Sequence, residues 1–217
     1  MLNNIESYID EEPQRALAEL REIKDSIGAS PKLKAKHALL HSIALDKNYI
    51  DLKTDSIIAP AVKYYLKKGS GSEKLATCYY LGRIYKNAGD YNKAIIEYSK
   101  AEQLVDQISP NKTIGLLYMG MAAIYNAARN HTKEIEYVQK GYNAFKLINS
   151  ERDCNLSLGT LAIAYSNLRE WDIADSLFNK STALCSKDSI TMPFFFQIMR
   201  ELRYCNRKKI QIAQFRY

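Results

Sequence analysis

The residues able to do chemistry are few and scattered. His37 and His41 stand four apart, one helical turn, so on a helix their imidazoles share a face. Two imidazoles do not hold a metal ion without a third or fourth ligand, and Asp46 falls out of phase with them. His131 lies in a polar stretch that reads as an exposed turn. Asp10, Glu11 and Glu12 precede a helical pattern, where carboxylates offset the helix dipole, and that accounts for them without catalysis. The four cysteines, at 78, 154, 185 and 205, form no CxxC pair. Cys78, set among Ala76, Tyr79 and Leu81, reads as a small core residue. No Walker-type glycine loop, GxGxxG, HExxH or GxSxG occurs, and Gly69, Gly71, Gly82 and Gly89 are too sparse to cradle a phosphate. No catalytic group, metal or cofactor is expected.

What the chain does contain is material for packed helices. It has 217 residues, 47% hydrophobic and 25% charged, which is enough to bury a substantial core and excludes wholesale disorder. Only 9 Gly and 5 Pro are present, so collagen-like and glycine-linker readings fall away. The 16 Tyr suit half-buried positions, with an apolar ring inside and a polar tip outside. No apolar run reaches the length of a membrane-spanning helix, and the start MLNNIESYID lacks the basic and apolar parts of a signal peptide.

Three segments align without gaps at a spacing of 40. Tyr85, Tyr125 and Tyr165 anchor them, with Leu81, Met121 and Leu161 one turn before and small residues Gly82, Ala122 and Ala162 between. A polar turn follows each, at Asn87–Asp90, Arg129–His131 and Arg169–Glu170. A second helix then carries Ala94, Tyr98 and Ala101 in the first unit and Ala174, Phe178 and Ser181 in the third. The middle unit has Glu134, Val138 and Gly141 at those places. Such spacings put each trio on one stripe, and a lone hairpin cannot bury both its faces, so neighbours must stack.

This unit resembles the tetratricopeptide repeat, on Leu81, Gly82, Tyr85, Gly89, Ala94, Tyr98 and Ala101, over roughly residues 75 to 185. The family's period is about 34 residues. The longer period here must lengthen the helices or the connections between units, and 106–112 and 149–155 are the natural places. The resemblance implies an all-α fold, a right-handed superhelical array of antiparallel helix hairpins. It also implies a concave groove lined by first helices. Transferred by match, the groove residues are Tyr79, Arg83, Lys86 and Asn87, then Met119, Ala123, Asn126 and Ala127, then Gly159, Ile163, Ser166 and Asn167. Asparagine amides there could hold the backbone of an extended peptide, and Arg83 and Lys86 an acidic group on it. The family's carboxylate-clamping version has basic and asparagine residues at two places taken here by Tyr79 and Arg83. On the connecting segments Glu12–Leu17, Asp46–Asp51, Pro60–Val62 and Tyr79–Tyr85, the chain also resembles the repeat regions of envelope-associated regulatory proteins of Bacteroides-type bacteria.

The expected organisation is less regular helical hairpins over 1–70, three repeats over 71–185 and a partial repeat over 186–217, in one continuous solenoid. Apolar stripes place helices at 13–27, 33–46 and 55–68, with Pro60 in a first turn. The net charge of +7 is uneven: residues 197–217 hold six basic side chains and one acid. The leading reading is a non-enzymatic scaffold that binds a protein or extended peptide, part of a longer regulatory protein. A nucleic-acid-related output through the basic end is the second, with no sequence-specific nucleic-acid binding expected from this stretch itself. An enzyme on a helical scaffold is the third. The expected place is the cell envelope or periplasm if a signal segment was removed, and the cytoplasm otherwise.

Overall fold

Residues 1–184 are described by a computed structural model, and the apolar stripes become helices because their ends are written into them. Ser70 and Glu73 form a reciprocal capping box, each side chain taking the other's backbone N–H. Pro13, Pro31 and Pro60 stand in first turns, where a missing donor costs nothing. Residues 1–109 form one compact unit, with α1 (Leu2–Tyr8), α2 (Pro13–Glu22), α3 (Pro31–Lys47), α4 (Ala59–Lys68), α5 (Gly71–Asn87) and α6 (Tyr91–Glu102). The described residues from 110 onward belong to the other. Its described part holds α7 (Lys112–Ala127), α8 (His131–Leu147), α9 (Glu151–Asn167) and α10 (Trp171–Leu184). Among the described residues there is no strand, and no helix is long and apolar enough to cross a membrane.

The stops are more regular than the starts. Tyr49, Gly89, Arg129 and Arg169, spaced by 40, all have left-handed backbone, with φ of 59°, 81°, 56° and 65°. Each follows a helix end and reverses the chain in the same way. The Asp90 N–H reaches the Tyr85 carbonyl at 2.9 Å and the Gly89 N–H that of Lys86 at 3.0 Å. The same pair recurs as Ile50 to Leu45 with Tyr49 to Asp46, Asn130 to Tyr125 with Arg129 to Asn126, and Glu170 to Tyr165 with Arg169 to Ser166. Asp90 and Asn130 then cap the next helix, accepting from the N–H of Lys93 and Lys133 at 3.0 and 3.1 Å. The period therefore reaches one hairpin further toward the N-terminus than the tyrosines indicate.

Burial follows the same period. Ser42, Gly82, Ala122 and Ala162 are buried at the small position; Tyr98, Val138 and Phe178 are buried on the second helix, and Ile58 just before the start of α4. A Cβ on Gly82 would sit 2.6 Å from the Tyr98 ring, so α5 and α6 cross where only glycine fits. Helices pack mainly with their neighbours in sequence, as tandem hairpins α3/α4, α5/α6, α7/α8 and α9/α10. Within the first unit α3 also lies against α5, and in the second α8 lies against α9. Ile5, Ile9, Leu17, Leu20, Leu40 and Leu45 close the N-terminal core.

Three sequence expectations are corrected in detail. The helix expected over 13–27 ends at Glu22, and a 3-10 turn follows at Lys24–Ser26. The helix expected from 55 starts at Ala59. The extra length of the repeat does fall in the 103–111 connection, with its 3-10 turn at Val105–Gln107. It does not fall at 149–155, because α9 begins at Glu151, and there the surplus lengthens the second helix, α8 having 17 residues against 12 in α6. The partial repeat and basic end over 186–217 lie outside the described residues.

Candidate functional site

In the first unit the transferred groove residues come together on α5, beside α3. Arg83 Nε pairs with Asp46 Oδ1, linking the ends of two first helices. Asn87 Nδ2 donates to Asp51 Oδ1 at 2.9 Å, and the Tyr85 hydroxyl lies 3.3 Å from Asp55 Oδ2. All three acids come from the end of α3 or the connection after it. Each α5 side chain thus ties its helix to the preceding hairpin. Lys86 is half-buried beside them, and burial together with the Arg83 cation lowers its pKa. Tyr79 sits inside rather than on the surface, 1% exposed, its ring stacked on Tyr98 at 5.9 Å. Burial pushes its phenol up to about 12. The Tyr98 hydroxyl, also buried, has no hydrogen-bond partner among the described residues.

In the second unit the transferred residues divide. Asn126 Nδ2 donates to Glu134 Oε1 at 2.8 Å, and His131 Nδ1 lies 2.7 Å from the other oxygen. Glu134 is 2% exposed and occupies the place that Ala94 and Ala174 hold in their repeats. Asn126 and His131 are therefore the partners that let a carboxyl replace a methyl in a core. Met119 packs half-buried with the Ser157 hydroxyl 3.7 Å from its sulfur, and Gly159 and Ser166 are buried. Ile163 is half-buried against the Ala162 and Phe178 core. Ala123, Ala127 and Asn167 are exposed, and they form the open part of the α7 and α9 faces.

The packing residues fall where their spacing puts them. Leu81, Gly82, Ala94, Tyr98, Ala101, Ala122, Ala162, Ala174 and Phe178 are buried, while Tyr85, Tyr125 and Tyr165 are half-buried. Tyr125 stacks on Tyr137 at 5.3 Å, and Lys93 lies over the Tyr85 ring. Sequence reasoning missed Asp46 and Asp51, which neutralise Arg83 and hold Asn87 from more than 30 residues away. It also missed Glu134 as a residue needing partners, although a carboxyl at an alanine position was the available signal. Among the described residues no three His, Cys, Asp or Glu side chains could share a metal ion. Comparison with family models, curated proteins and solved structures gives no match for this chain.

Proposed function

We propose that this chain is a tetratricopeptide-type scaffold, non-enzymatic, that binds a protein or extended peptide segment on its first-helix faces. Each unit is on this reading a segment of a right-handed hairpin array, the sensor or adaptor part of a longer regulatory protein such as the Bacteroides-type resemblance suggests. The observation that carries the reading is the 40-residue recurrence of the left-handed helix stop at Tyr49, Gly89, Arg129 and Arg169. Equivalent stops give equivalent hairpins, and equivalent hairpins stacked within a unit offer an extended face.

The face available to a partner is narrower than the transferred residues suggest. Arg83, Asn87 and Asn126 already have protein partners, so the residues left to meet a partner are Lys86 on α5 in the first unit and, in the second, Ala123, Ala127 and Asn167 on α7 and α9. Pull-down from the native cell extract should recover a specific protein with the wild type. Lys86→Glu and Ala123→Glu, tested separately with helical content checked, should each reduce that recovery or one abolish it. Undiminished recovery of the same protein by both variants removes the first-helix faces from the interaction.

A further inference from the structure

The first unit has a trough away from the contacts just described. It opens because α2 stops at Glu22 and the chain leaves through Gly28, with φ of 68°, toward Pro31. The side of α3 carrying Lys34, His37 and His41 is then left without a full helix over it. One repeat later the places of His37 and His41 are taken by Thr77 and Leu81, both buried. The trough consists of two adjoining cavities of about 850 and 660 Å³ that share Ala29, Lys34, Ser56 and Pro60. Its floor is apolar, from Ile27, Ala38 and Ile57 at one end to Tyr64 at the other.

Its charge is of one sign. Lys24 borders the first cavity, Lys63 and Lys67 the second, and Lys34 both. Among the described residues no Asp or Glu lines either cavity, and the four lysines make no ion pair. Lys36, Lys47, Lys93 and Lys133, by contrast, all have carboxylate partners. Inside the first cavity the two imidazoles lie 5.5 Å apart, and His37 Nε2 is 2.8 Å from the Leu20 carbonyl. A carbonyl only accepts, so that nitrogen carries hydrogen and His37 is anchored as part of the wall.

We propose that this trough docks an acidic peptide segment, its carboxylates meeting the lysines and its apolar side chains resting on the floor. The distribution of cations favours a chain over a single small anion. They are spread over two cavities in a row, which matches carboxylates repeated along an extended backbone, whereas one headgroup would engage one end. Unpaired lysines above an apolar floor give steering at the rim and desolvated contact beneath it. The proposal rests on the reading of the chain as a protein-binding scaffold, but uses none of the residues that test that reading.

The experiment is fluorescence anisotropy with a labelled peptide in which Leu and Glu alternate in pairs, against one with Lys in place of Glu. The acidic peptide should bind and the basic one should not. Lys34→Glu with Lys63→Glu should weaken binding about tenfold or more, while the charge-matched pair Lys146→Glu with Lys180→Glu changes it far less. Lys34→Gln with Lys63→Gln, which cannot repel the peptide, should give a smaller loss in the same direction. Equal loss in the two charge-reversed proteins would show attraction to net charge alone and overturn the site. So would absence of binding at about 0.1 mM peptide. Binding of dodecanoate with the same lysine dependence, without peptide binding, would reassign the trough to a small amphipathic acid. Failure here with an intact pull-down partner leaves the first-helix reading standing, and the reverse holds too.

Discussion

Arg129 and Arg169 stand at helix stops where the first full repeat has Gly89, and an L side chain in left-handed backbone carries a steric cost. Replacing Arg169 with Gly removes that cost and adds back some chain entropy in the unfolded state, for a net gain of about 0.5–1 kcal/mol. The denaturation midpoint should rise, and a fall would mean that the arginine side chain contributes contacts worth more than the strain. His41 makes a second residue-scale prediction. Burial, helped by His37, Arg21 and Lys24, lowers its pKa from 6.5 to about 4, and Lys34 shares its cavity. The unfolded chain then takes up a proton that the folded one refuses, so stability is full above pH 6.5 and is lost as pH falls toward 4. His41→Gln should flatten that part of the stability–pH curve; an unchanged slope would show that other groups set it. The left-handed stops were only partly legible in the sequence. Gly89 announces one, and the polar turns at Arg129 and Arg169 were legible as turns, but the left-handed backbone at Tyr49, Arg129 and Arg169 was not, because hydrogen bonding to the preceding helix and not residue preference holds them there.

At the scale of the helix, the buried Glu134 shows how a repeat tolerates a departure from its pattern. Asn126→Ala should leave one carboxyl oxygen short of a donor inside the protein and cost about 2 kcal/mol. Glu134→Ala restores the residue type of the sister repeats, and combined with Asn126→Ala it should recover most of that loss. Strict additivity in a double-mutant cycle, read from urea denaturation, would mean the two side chains do not depend on each other. Ala162 tests the helix phase itself. It is fully buried against Phe178, and Ala162→Leu should overpack that contact by about 1–3 kcal/mol. This phase was legible, since spacings of four and three fix which residues turn inward whatever covers them. What covers them was not. Asp46 meets Arg83 only after two hairpins stack, so a guanidinium that reads as a ligand contact is in fact a brace between α3 and α5. The hairpin of α3 and α4 was legible, but its place in the 40-residue period was not, for a related reason. Its small residue is Ser42 and its turn residue Tyr49, neither matching the pattern by type, although both occupy the repeat's places in space.

For the molecule as a whole, repeat architecture and division into units make different demands. A pure repeat array gains its stability from each neighbour in turn, whereas a compact unit needs a core of its own. Residues 1–109 have one. Ile5, Leu17 and Leu20 from α1 and α2 meet Leu40 and Leu45 from α3, and Arg83 and Asn87 on α5 fasten to Asp46 and Asp51. Lys36 reaches back to Glu6 at 2.5 Å, binding the first helix to the third. These links span sequence separations of up to 37 residues and all begin and end within the unit. Residues 1–109 expressed alone should therefore keep a helical circular dichroism spectrum and melt in one cooperative transition. Arg83→Ala in that shorter chain should lower the melting temperature, because Asp46 is left half-buried without its cation. A non-cooperative melt of the wild-type 1–109 chain would show that the hairpins take their stability from neighbours beyond residue 109, and that a core drawn from three helices is too small to close by itself.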